Sequence, residues 1–189
     1  MLSQIYGVML RLLLLRAGPQ DLPYAPAVTP LYFGAAVLIS YFTYALITPG
    51  AAAVFAAAGT YAGMTLLTRE LLKARKLANR YHQTLHALLG AAAVLGLLTL
   101  WPFARVAPVL LAAATNPVLL EHPDRLPLPD LPMLALNLLA LWKLVVNAQI
   151  FRHALDTGAG LGLLVALMLE FVQLSMMMLG AVAARLLLG

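Results

Sequence analysis

Five apolar stretches, each 17 to 25 residues long, divide this chain into lengths that match a lipid bilayer. They are Leu31–Ile47, Ala51–Leu67, Leu85–Phe103, Leu131–Phe151 and Gly160–Ala184. A helix of roughly 20 apolar residues crosses a hydrocarbon core. Backbone polar groups at that depth must be satisfied inside the protein, so each stretch is expected to be helical. The chain is 63% hydrophobic and 10% charged, whereas soluble domains carry about 25% charge. A chain of 189 residues cannot hide that much apolar surface in one soluble core. The expected fold is all-α: a polytopic transmembrane bundle of about five spanning helices, one domain over residues 31–189.

The ends and connectors refine this picture. Met1–Ala17 is predicted to be an amphipathic helix lying on the membrane surface, with Ile5, Met9, Leu12 and Leu13 at helical spacing. Arg11 and Arg16 interrupt and follow its apolar run, which argues against a secretory signal. Gly18-Pro19 is expected to end it, and residues 18–30, with Pro19, Pro23, Pro26 and Pro30, read as a loop. Thr48-Pro49-Gly50 predicts a tight hairpin between the first two spans. Gly59-x-x-x-Gly63, flanked by Ala52 and Ala56, predicts close helix packing. Thr68–Arg80 lacks glycine and proline, so the second span is expected to continue through it out of the membrane. Trp101-Pro102 is expected to close the third span at an interface. Val106–Leu120 is short and interrupted by Asn116-Pro117, which suggests a re-entrant or interfacial piece rather than a span.

Orientation follows from Lys and Arg placement. With the N-terminus inside, the cytoplasmic side carries Arg11, Arg16, Arg69, Lys73, Arg75, Lys76, Arg80 and Arg152. The outside carries only Arg105, Arg125 and Arg185, together with the acids Glu121, Asp124 and Asp130. The expected location is a bacterial cytoplasmic membrane, N-terminus in and C-terminus out. A sixth crossing by Val106–Leu120 would put the C-terminus inside.

Two charges lie within the apolar stretches. Lys143 is 13 residues before Asp156, near the centre of a connector, and Glu170 is 14 after it. An antiparallel hairpin sets them at nearly equal depth. Asn147 shares a helical face with Lys143, and Gln173 shares one with Glu170. Lys143, Asn147, Glu170 and Gln173 therefore form a candidate intramembrane polar patch. Charge at that depth marks either a pathway or a structural partner. A clamp setting the register of two helices is one reading, and a proton or ion relay is the other.

Other signals are weaker. His82 and His86, at i and i+4, are candidate metal ligands, with His153 on the same side as a third, but the ligand set is incomplete. Arg69, Lys73, Arg75, Lys76 and Arg80 form a basic cytoplasmic segment suited to anionic lipid or an acidic partner. Met176, Met177 and Met178 are spread around their helix and suit packing or lipid contact. There is no cysteine, hence no disulfide or thiolate chemistry. No phosphate-binding glycine loop, nucleophile elbow or paired carboxylate is present, so no enzyme activity and no cofactor are expected. The basic residues flank spans, so the expected partners are membrane lipids and a membrane protein or second copy, not nucleic acid.

Tyr81-His82-Gln83-Thr84-Leu85-His86-Ala87-Leu88-Leu89-Gly90 resembles the start of the third span in bacterial members of the Yip-type, Rab-GTPase-interacting membrane proteins. Leu141-Trp142-Lys143 through Ile150-Phe151-Arg152-His153-Ala154-Leu155 is similar to the end of their fourth. The resemblance spans about Leu31–Ala184 and implies five spans, a cytoplasmic N-terminus and an outside C-terminus. It transfers no functional residue. The expected function is a non-enzymatic scaffold or assembly component of the inner membrane. The alternative is a small transporter or channel that uses the Lys143/Glu170 patch.

Overall fold

The computed structural model describes residues 2–48, 50–116 and 126–188. Glu121, Asp124, Arg125 and the 117–120 part of Val106–Leu120 lie outside the described residues, as does Gly189. Among the described residues there are six α-helices: α1 (Leu2–Leu13), α2 (Thr29–Ala45), α3 (Ala51–Ala74), α4 (Tyr81–Thr115), α5 (Asp130–Ala154) and α6 (Ala159–Leu188). No strand occurs among the described residues. Among the described residues five helices, α2 to α6, are long and apolar enough to cross a membrane, which is compatible with an integral membrane protein.

These five close into a ring. The major contacts run α2 to α3, α3 to α6, α6 to α5, α5 to α4, and α4 back to α2. In a ring of five alternating helices, one neighbouring pair must run parallel, and that pair is α2 and α4. Thr29 meets His86 at one end, and Ile39 meets Gly96 further along. One end of the ring holds the α3–α4 and α5–α6 turns, and is called the basic end here. The far end holds the α2–α3 turn, the last turn of α4 and the first turn of α5.

The most extensive packing joins α3 to α6. Gly59 and Gly63 face α6 rather than the hairpin partner α2. A Cβ on Gly59 would strike the Met176 carbonyl oxygen, and one on Gly180 would strike that of Phe55. Met176 fills the groove beside Gly63. Close backbone approach of this kind maximises van der Waals contact where lipid gives helices no hydrophobic reason to associate.

The helix ends depart from the sequence reading in two places, and a third end shares their geometry. α1 stops at Leu13, not Ala17, and Leu15 takes a left-handed φ of 61°. α3 does not run on through Arg80. It stops at Ala74, and Lys76 turns at φ 59°. α5 closes the same way over Asp156 at φ 53°. In each case the next residue's N–H bonds back to the carbonyl five residues earlier: Arg16 to Arg11, Leu77 to Leu72, Thr157 to Arg152. These are Schellman closures, in which glycine is the usual left-handed residue. Here Leu, Lys and Asp occupy it, so no glycine signal marks the turn. The proline-rich segment also carries two short 3-10 turns, Pro19–Asp21 and Pro26–Val28.

The largest difference is in α4. Pro102 and Pro108 lie inside one continuous 35-residue helix. Neither ends it, so Val106–Thr115 is a continuation of the third span and not a separate re-entrant piece. Proline removes one backbone bond, and neighbouring helices in a bundle make that tolerable. Pro102 is buried among them. At 1.5 Å per residue α4 is about 52 Å long, well beyond a core of about 30 Å.

Packing is uneven along the ring axis. Towards the basic end the centre is filled by Met64, Leu72, Leu85, Leu88, Leu89, Ile150, Phe151 and Leu169, all at or below 1% exposure. α1 is laid against this half through Val8, Met9, Leu12 and Leu13, with Met9 seated over Gly90. Tyr6, Leu10 and Arg11 face outward.

Candidate functional site

The site grows from the α5–α6 hairpin. α5 supplies Lys143 and Asn147 one turn apart, and α6 supplies Glu170 and Gln173 one turn apart. The tight turn at Asp156 brings the helices together in antiparallel register. Lys143 Nζ lies 2.8 Å from Glu170 Oε2 and also donates to Gln173 Oε1 at 3.3 Å. Asn147 Nδ2 donates to Glu170 Oε1 at 3.3 Å. The structure thus brings all four patch residues into one network. Both carboxylate oxygens have a donor, which is what a charge at membrane depth requires. Asn147 and Gln173 are buried, while the Lys143 and Glu170 side chains retain 31% and 36% exposure. An ammonium has three donors, and the two bonds leave one of Lys143's for another acceptor.

For Lys143 that exposure has a destination. A cavity of about 480 Å³ occupies the centre of the ring towards the far end, and Lys143 and Gln173 line it. α2 contributes Ser40, Thr43 and Tyr44, α3 contributes Thr60 and Tyr61, α4 contributes Thr99, and α5 contributes Asn137. Leu95, Phe103, Val106, Leu110, Leu136 and Leu139 make the apolar wall. The hydroxyls are held in place by short bonds. Ser40 Oγ and Tyr61 OH are 2.7 Å apart. Thr60 donates to the Ala56 carbonyl at 2.9 Å, so Tyr44 OH is the donor in its 3.2 Å bond to Thr60. Thr99 bonds to the Leu95 carbonyl at 2.8 Å. The volume lies in the range of about 300–1,000 Å³ typical of small-molecule sites. Below the charge network, towards the basic end, the ring centre is closed by Val146, Ile150 and Phe151.

Sequence reasoning missed this cavity. Its walls come from five helices, and no single segment carries its pattern. A partial signal existed: Ser40, Thr43 and Tyr44 share one face of α2, and Thr60 and Tyr61 lie at matching depth on α3.

The histidines serve another purpose. Thr29 Oγ1 lies 3.2 Å from His82 Nδ1 and 2.8 Å from His86 Nε2. One hydroxyl bridging two rings must donate to one and accept from the other, which sets complementary tautomers. Tyr32 stacks on His86 with centroids 4.8 Å apart. The pair thus ties the first turn of α2 to α4. His153 does not join them and bonds Gln149 at 2.9 Å. Among the described residues no three His, Cys, Asp or Glu side chains converge on a metal-sized point.

Within the basic segment, Arg69, Lys73, Arg75 and Lys76 are exposed. Arg80 is half-buried and separate: its guanidinium donates to the carbonyls of His153 and Ala154, both at 3.2 Å. It caps the C-terminus of α5, where a cation also suits the helix dipole. Searches against protein families, curated proteins and solved structures returned no match.

Proposed function

We propose that this chain is a small transporter-type protein of a bacterial cytoplasmic membrane. It takes a small solute into the central cavity and uses the Lys143/Glu170 network as its polar floor. One observation supports this over a purely structural clamp: the cavity ends on Lys143 and Gln173. A clamp needs no cavity, whereas a pathway does. The basic end would face the cytoplasm, with the N-terminus inside and the C-terminus outside, following the Lys and Arg bias. The cavity would then belong to the outer half, and the dry half below it would form the closed gate of one access state. The Yip-type resemblance fits the same topology. Among the described residues no acid–base or nucleophilic set supports an enzyme reading. The scaffold reading comes second; it is supported by the exposed basic segment and by the outward apolar faces of α5 and α6.

Flux through reconstituted vesicles tests the reading. Purified protein in liposomes loaded with a pH-sensitive dye should accelerate relaxation of an imposed proton or monocarboxylate gradient. Lys143→Met should abolish the acceleration. Vesicles that behave like empty ones for protons, monocarboxylates and zwitterionic amino acids alike would leave the scaffold reading in its place.

A further inference from the structure

A second recess lies at the basic end, independent of the central cavity. It measures about 240 Å³ and is lined by Arg69, Lys73, Ala78 and Tyr81. Arg69 and Lys73 are one turn apart at the end of α3. The left-handed turn at Lys76 folds Ala78 and Tyr81 back beside them. Arg69 and Lys73, both exposed, therefore line one shared hollow. Among the described residues their carboxylate neighbour is Glu70, at 3.9 Å from Arg69 and 3.7 Å from Lys73, beyond hydrogen-bond range. With Arg75 and Lys76 on the same turn, four cations stand against one carboxylate. A guanidinium gives paired N–H donors to an oxyanion, an ammonium gives a point charge, and a phenol gives one further donor.

We infer that this recess binds the phosphate of an anionic phospholipid headgroup. Depth selects a lipid over a soluble phosphate. Arg69 is 18 residues into the span from Ala51, about 27 Å along the helix axis. That is close to the roughly 30 Å of the hydrocarbon core. Tyr81 sits where interfacial aromatics gather. The hollow, about 240 Å³, has room for a phosphodiester and part of its glycerol.

The test uses the full chain in neutral detergent, titrated with dioctanoyl phosphatidylglycerol, dioctanoyl phosphatidylcholine and inorganic phosphate, with binding read by native mass spectrometry. The glycerol lipid should bind at least about tenfold tighter than the choline lipid, since a polybasic site gains about 1 kcal/mol per cation on an anionic surface. Arg69→Gln with Lys73→Gln should weaken it about 30-fold, about 2 kcal/mol. Arg75→Gln with Lys76→Gln should weaken it less than threefold on the order of one partial charge contact. All four side chains are exposed, so both double variants should melt like the wild type. Arg69→Lys, which keeps the charge and loses the fork, should show an intermediate loss. Equal losses in the two double variants would overturn the site in favour of diffuse surface charge. Inorganic phosphate binding as tightly as the lipid would overturn the lipid assignment.

Discussion

Lys143→Met is expected to lower stability by about 2 kcal/mol, and Glu170→Gln by a similar amount. The estimate lies below the ~3–5 kcal/mol of a fully buried pair, because both side chains stay about a third exposed. In melting temperature it corresponds to about 4–8 °C for a domain of this size. The double variant should lose clearly less than the sum, with a coupling of about 1 kcal/mol or more. Hydrogen bonds between membrane helices average near 0.6 kcal/mol in such cycles, so a value above that marks charge pairing. The reason lies in the geometry: Glu170 accepts from both Lys143 and Asn147. Removing the lysine strands a carboxylate with one weak donor. Simple additivity, measured by thermal melts in detergent, would mean that the two residues do not sense each other.

The second large effect concerns a methyl group. Gly180→Ala would place its Cβ against the backbone carbonyl of Phe55. A backbone atom cannot swing aside, so α3 and α6 must separate along their longest seam. Overpacking of this kind costs about 1–3 kcal/mol, and the upper end is expected here. Gly34→Ala supplies the contrast. A Cβ there meets nothing within 4 Å, and alanine is the better helix former by about 1 kcal/mol. It should be neutral or stabilising. If both variants melt alike, the α3–α6 seam is not the close contact described.

What the sequence makes legible divides along physical lines. The spans follow from apolar length, because the bilayer sets one scale for all of them. The depth match of Lys143 and Glu170 follows from counting outward from Asp156, because a short turn fixes antiparallel register. Four things stay hidden. Proline usually breaks a helix in water, so Pro102 reads as an end, yet α4 passes through it where neighbouring helices support the gap. Leu15, Lys76 and Asp156 take a conformation that favours glycine, so helix ends there carry no local mark. The partner of Gly59 and Gly63 is α6, more than 100 residues away in the chain, and small-residue spacing names a contact without naming its partner. The cavity is the extreme case, because it exists only where five helices fail to fill the centre together.

The central claim is that water reaches Lys143 from the far end through this cavity. The absence of native cysteine makes it directly measurable. Three single variants share one helix: Asn137→Cys on the cavity wall, Leu138→Cys on the outer face, and Val146→Cys in the dry half. Each is reconstituted in sealed vesicles and exposed to a small charged thiol reagent, which reacts only where a thiolate forms in water. Asn137→Cys should be modified readily, while Leu138→Cys in lipid and Val146→Cys in the packed core should stay protected. An Asn137→Cys as unreactive as its neighbour Leu138→Cys would contradict the account.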